Sequence, residues 1–120
     1  MAELLNQAAE QGCSNAQHDV GFMHRSGIEV PQDLDAAITW YRRAAEQGNL
    51  ISMSDLSVLL AERATPDDLV ERVRWLRNLA EGDGAAAFNL AEAFRDGVGT
   101  SANPIEAARW FFRAHGQGRD

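Results

Sequence analysis

Cys13 and His18 are the residues best suited by type to nucleophilic catalysis, in which an imidazole base draws out a thiolate. They stand five residues apart on what reads as one helix, and that spacing puts them on different faces. His18 and His24, six apart, diverge in the same way and make no local zinc site. His115 lies in the last helix, far along the chain from both. The carboxylates Asp33, Asp35, Asp67 and Asp68 gather at helix starts, where the positive end of the helix dipole accounts for them without catalysis. Gly82-Asp83-Gly84 and Gly97-Val98-Gly99 follow helices rather than strands, so neither reads as a phosphate loop. These residues predict no catalytic centre, no metal site and no cofactor.

What positions them is a repeat. Trp40, Trp75 and Trp110 are separated by equal steps of 35 residues, each inside a similar phrase: Trp40-Tyr41-Arg42-Arg43-Ala44-Ala45-Glu46-Gln47-Gly48, Trp75-Leu76-Arg77-Asn78-Leu79-Ala80-Glu81-Gly82 and Trp110-Phe111-Phe112-Arg113-Ala114-His115-Gly116. A period in this range marks an array of supersecondary units. A partial copy, Ala8-Ala9-Glu10-Gln11-Gly12, opens the chain. The expected organisation is a single repeat domain: a partial repeat helix over 1–12, repeat one over 13–48, a divergent repeat two over 49–82 and repeat three over 83–118. Three repeats are about the minimum for stability, because each buries its apolar face against its neighbours.

Each repeat reads as two helices. In the first helix of repeat one, Ala16, Val20 and Met23 recur at helical spacing, and Gly21 permits close approach of a neighbour. Gly27 ends that helix, and Asp33 is the expected N-cap of the second. There Leu34, Ala37, Ile38, Tyr41, Ala44 and Ala45 form an apolar stripe. Repeat three copies the layout, with Ala86, Leu90 and Ala91, then Gly97, an Asn103 cap before Pro104, and a stripe of Ala107, Ala108, Phe111 and Ala114. Repeat two departs from it. Ser57 replaces the close-packing glycine, the loop glycine is lost in Ala61-Glu62-Arg63-Ala64-Thr65-Pro66, and Arg72 stands where the other copies have Ala37 and Ala107. Seven helices and no strands are expected.

Composition bounds the partners. The net charge is −7 and all 11 cations are arginine, with none clustered into a basic stripe, which argues against nucleic acid. Cys13 is the only cysteine, so no intramolecular disulfide forms. No apolar run reaches the length of a membrane span, and Met1-Ala2-Glu3-Leu4-Leu5-Asn6 lacks the regions of a signal peptide. The chain as written is expected to be cytoplasmic, and periplasmic or secreted if an upstream signal belongs to it. Its opening in mid-repeat is the expected sign of an upstream segment.

The phrases Ala16-Gln17-His18-Asp19-Val20-Gly21-Phe22-Met23, Gly27-Ile28-Glu29-Val30-Pro31-Gln32-Asp33 and Ala36-Ala37-Ile38-Thr39-Trp40-Tyr41-Arg42-Arg43-Ala44-Ala45-Glu46-Gln47-Gly48 resemble the Sel1-like repeat, a relative of the tetratricopeptide repeat. The resemblance covers about Leu4 to Gly118 and is weakest in repeat two. It implies an all-α, right-handed solenoid of antiparallel helix pairs, with the first helices lining a concave surface. It also implies adaptor or scaffold work, often in bacterial signalling, envelope processes or host interaction. Some bacterial members carry a disulfide in each repeat; the lone Cys13 disfavours that class.

Carried across the resemblance, the groove-facing positions are Asn15, His18, Phe22 and Arg25 in repeat one, Ile51, Ser54, Val58 and Glu62 in repeat two, and Ala85, Phe88, Glu92 and Arg95 in repeat three. Their mix of aromatic and aliphatic anchors with Arg and Glu suits a peptide or protein partner. The three tryptophans, present in every copy, are expected to serve the repeat itself. The leading expectation is a non-catalytic protein-binding adaptor. The alternatives are an immunity-type inhibitor of a toxic effector and a regulatory fragment of a larger signalling protein.

The end of the array raises a second expectation. Phe112 aligns with Arg42 and Arg77, and beside Trp110 and Phe111 it makes an apolar end that another copy, a further C-terminal segment or a different partner would cover. The polar run Gly116-Gln117-Gly118-Arg119-Asp120 offers little cap. Self-association through this end predicts that Phe112→Arg abolishes a concentration-dependent increase in mass measured by sedimentation. A native chain that stays monomeric at high concentration overturns it.

Overall fold

Helix ends fall where short polar residues and αL turns set them. The computed structural model describes residues 2–118, and among them are seven α-helices and no strand: α1 (Ala2–Glu10), α2 (Ser14–Ser26), α3 (Leu34–Glu46), α4 (Leu50–Arg63), α5 (Pro66–Ala80), α6 (Gly84–Asp96) and α7 (Pro104–Gly118). Arg119 and Asp120 of the polar tail lie outside the described residues. The Asp33 side chain accepts from the Ala36 N–H, and Asn103 accepts from the Glu106 N–H, as a capping side chain does. Gly27 and Gly97 close α2 and α6 in the left-handed conformation, each donating to the carbonyl four residues back, Met23 and Ala93. The two long loops are then pinned alike: Asp33 N–H donates to the His24 carbonyl, and Asn103 N–H to that of Phe94.

The chain divides into two compact units, Met1–Leu59 and Leu60–Asp120, with the division inside α4. In the first unit α1 packs on α2, and α2 on α3. Ala37, Ile38, Tyr41, Ala44 and Ala45 of α3 are all buried. Leu34, expected at the head of this stripe, is instead exposed, because a residue in the first turn lies beyond the reach of α2. Gly21 does what its type predicts: a Cβ there would sit 2.8 Å from Cδ1 of Tyr41, so the absence of a side chain lets that ring lie against α2. Gln17, which the apolar pattern passes over, is buried and satisfied at both ends. Its amide donates to the Ala9 carbonyl at 3.0 Å and its oxygen accepts from Gln47 at 2.8 Å, tying α1, α2 and the end of α3 together.

In the second unit α6 packs on α5 and α7. Leu90, Ala91, Phe94, Ala107, Trp110 and Ala114 are buried, while Ala108, expected in the α7 stripe, is exposed on the opposite face. The arginine at Ala37's place, Arg72, is half-buried; burial lowers its pKa and the Glu92 charge opposes that shift. Each tryptophan carries an arginine over its ring, Arg43 on Trp40 and Arg113 on Trp110 three residues on, and Arg74 on Trp75 from the position before. The indole of Trp75 also donates to Glu71.

The divergent middle connection is a tight turn. With no glycine available, Ala64 itself takes the left-handed conformation (φ 58°), and its N–H closes α4 on the Leu60 carbonyl. Thr65 and Asp68 then form a reciprocal capping box ahead of Pro66. Asp68 is buried and receives two charge-assisted bonds from Arg63, at 2.8 and 2.7 Å. The Arg63 hydrogen bond holds its carboxyl well below the usual carboxylate range, against the opposing push of burial and with help from Thr65.

Two tests follow from this packing. Gly21→Ala drives a methyl into the Tyr41 ring and should destabilise by about 1–3 kcal/mol, whereas Ala64→Gly relieves an αL alanine and should stabilise by about 0.5–1 kcal/mol. Denaturant midpoints that fail to move in opposite directions overturn this account. Because the folded Asp68 pKa is depressed, its contribution is fully present above the unfolded carboxylate value of about 3.9 and is lost as pH falls towards the folded value. Asp68→Asn should therefore cost about 1–3 kcal/mol at pH 7, and the gap from the native chain should narrow in unfolding measured below pH 4. A gap independent of pH excludes the carboxylate as its source.

Candidate binding surface

The expected groove residues of the first unit stand on α2 and the first part of α4, and two polar contacts join these helices. His18 Nε2 lies 2.8 Å from Asp55 Oδ2, and Asn49 Nδ2 donates to Asn15 Oδ1 at 3.2 Å. The His18 ring also lies 5.2 Å from that of Tyr41, tilted by 40°. His18 is thus half-buried, held between an acid on one helix and a ring on another, and its partner is Asp55 rather than Cys13, which is exposed at the N-cap of α2.

Around this pair the surface is apolar. Phe22, one turn beyond His18, is 46% exposed, and Ile51 and Val58, which flank Asp55 at helical spacing on α4, are 66% and 45% exposed. Large apolar side chains this open, arranged around a fixed polar pair, can anchor a partner by burial while the pair sets its register. Ser54 is exposed, and Arg25 is half-buried. Beneath them the Tyr41 hydroxyl is buried. Burial raises its pKa, the Asp55 charge adds to the rise, and Arg25 opposes it.

In the second unit Glu62 is exposed on the last turn of α4, and Ala85, Phe88 and Arg95 are exposed on α6. The two charged α6 positions are engaged internally. Glu92 faces the half-buried Arg72, and Arg95 forms a paired contact with Asp96 at 3.0 and 3.1 Å and reaches Glu92 at 3.9 Å. Phe88 meets the Phe111 ring edge-on at 5.4 Å, with the Arg95 guanidinium over Phe111. Of the expected end residues, Trp110 is buried, with the Arg113 guanidinium over its ring, and adds little open surface. Phe111 is half-buried, and Phe112 is 80% exposed.

Sequence reasoning passed over Asp55, Asn49 and Tyr41 as parts of this surface. Asp55 lies 37 residues after His18 rather than at the repeat step of 35, so alignment of the copies does not pair them. The available signal was an acid on α4 two positions from an exact copy, beside a helix bearing a histidine.

The family model for the Sel1 repeat matches residues 2–13, 14–49 and 84–118, leaving the tight-turn pair between them. Along 97% of its length the chain is 30% identical to chitin synthase regulatory factor 3 of Schizosaccharomyces pombe, and along 98% it is 28% identical to the chitin synthase regulator SKT5 of Malassezia restricta. It spans only 13% and 9% of those proteins. Among solved structures, it is similar to c5321, a protective antigen of uropathogenic Escherichia coli with an SLR fold, at a TM-score of 0.81 and 32% identity, covering 98% of this chain and 26% of that one. It is also similar to a Sel1 repeat protein from Oxalobacter formigenes, at a TM-score of 0.86 and 28% identity, covering 98% of this chain and 49% of that one. The fold is a helical solenoid of antiparallel pairs.

Proposed function

Because the chain belongs to the Sel1 repeat family, whose repeats mediate protein–protein contacts and are typically non-catalytic scaffolds, we propose that it is a protein-binding module. Its partner, a peptide or a folded protein, lies along the first helices. The observation that carries this reading is the open apolar surface of Phe22, Ile51 and Val58 around the His18–Asp55 pair. A partner there buries the three apolar side chains and finds a polar pair already ordered, so little side-chain entropy is lost on binding. Asn15, Ser54 and Arg25 supply hydrogen bonds at the margin, and within the second unit Glu62, Ala85, Phe88, Glu92 and Arg95 hold the corresponding repeat positions. The net charge of −7 favours a neutral or basic protein over nucleic acid. No described helix is long and apolar enough to cross a membrane.

A regulatory role is the second reading. Two fungal relatives are named as a chitin synthase regulatory factor and a chitin synthase regulator, and the chain spans about a tenth of each. That combination favours a segment that docks a larger machine over an independent effector.

The test replaces Phe22 and Val58, both exposed, so that the fold is kept. Cross-linked capture from the source lysate with native chain and with Phe22→Glu/Val58→Glu, matched in helicity by circular dichroism, should yield a partner that the variant loses at least tenfold. A partner captured equally by both excludes this row as the binding surface.

A further inference from the structure

We propose that the cluster of His18, Asp19 and Asp55 seats a basic side chain of the partner, so that the row takes an apolar segment carrying an arginine or a lysine. The inference rests on the reading of Phe22, Ile51 and Val58 as a binding surface and adds the chemistry of what binds there.

The hydrogen count of the cluster carries it. His18 Nε2 lies 2.8 Å from Asp55 Oδ2, and Nδ1 lies 3.6 Å from Asp19 Oδ1. An ionised carboxylate only accepts, so the Nε2 hydrogen belongs to the bond with Asp55. In the neutral ring Nδ1 is then a bare acceptor, and it faces a second acceptor, the Asp19 carboxylate, with no hydrogen between them. A cationic N–H group placed there satisfies both. A second hydrogen on the ring would fill the gap from within, and the cluster would then take no cation. The side chain of Asp19 is 61% exposed and that of Asp55 29%, so both carboxylates can be reached from solvent.

A separate observation points the same way. Tyr41 is fully buried, and its hydroxyl has no hydrogen bond of good geometry. Burial and the charges of Asp55 and Asp19 raise its pKa and keep it a neutral hydroxyl, while Arg25 opposes the rise. Such an oxygen has acceptor capacity left for an N–H group brought to the carboxylates. Phe22, one turn beyond His18, offers an apolar surface to the aliphatic stem of a long basic side chain.

Charge complementarity extends beyond the cluster. Residues 1–59 hold eight carboxylates and three arginines, whereas residues 60–120 hold ten and eight. The first unit thus carries most of the net charge of −7, and its field draws a cation to the row.

The probe is a random linear peptide library displayed on phage and panned against the full chain. It should enrich segments in which apolar residues flank an arginine or a lysine. A fluorescent peptide of the enriched sequence should bind Asp19→Asn/Asp55→Asn at least tenfold more weakly by anisotropy. Glu46→Gln, which removes a carboxylate from the exposed end of α3, should leave its affinity unchanged. The same peptide with glutamine for its basic residue should bind the native chain at least tenfold more weakly and be insensitive to Asp19→Asn/Asp55→Asn. Basic peptides indifferent to that double variant overturn the proposal. Enriched peptides that lack a basic residue yet are lost by Phe22→Glu/Val58→Glu overturn it too, and leave the binding row standing. A selection yielding no peptide sensitive to Phe22→Glu/Val58→Glu overturns the row and this proposal together.

Discussion

The first unit is organised by the approach of the Tyr41 ring to Gly21. A ring whose carbons lie within 3 Å of a Cβ position can be there only if that position carries none. With Tyr41 pressed against α2, its ring offers a face to His18, and Asp55 of α4 closes the pair from the far side. The open phenylalanine, isoleucine and valine are distributed around that assembly. The proposed binding row thus inherits its order from a backbone contact one layer below it, which is how a surface keeps a defined geometry without a rigid loop.

In the second unit the same positions carry other residues, with different consequences. Ala91 stands for Gly21, Phe111 for Tyr41 and Phe88 for His18. Phe111 meets Phe88 edge-on and remains half open, with no acid to complete a polar pair. One repeat plan therefore carries a histidine–carboxylate pair in one unit and an edge-on pair of phenylalanine rings in the other.

The middle connection shows how a repeat tolerates loss of its turn residue. An αL alanine costs about 1–2 kcal/mol relative to glycine, and the capping box and the Arg63–Asp68 pair add contacts that the longer glycine-ended loops lack. Reading the lost glycine alone implies a weakened turn, but the acid three residues after Thr65 and the arginine before it make a short and well-bonded one.

Much of this architecture was determined by the sequence by itself. The 35-residue step, the αL glycines, the Asp33 and Asn103 caps and the alternation of apolar residues specify seven helices and their pairing, since each is a local rule acting within one or two turns. Gly21 was legible for the same reason: a glycine costs stability in mid-helix, and between apolar positions it points to a close approach. Tertiary packing alone decided which exposed-looking residues are committed elsewhere. Gln17 buries both ends of its amide, Arg72 is half-buried within range of the Glu92 charge, Trp110 is buried, and Asp55 reaches His18 across a step that the repeat does not predict. Helical periodicity assigns a residue to a face. Whether another helix covers that face, and which side chain meets it there, depends on non-local contacts that no local period encodes.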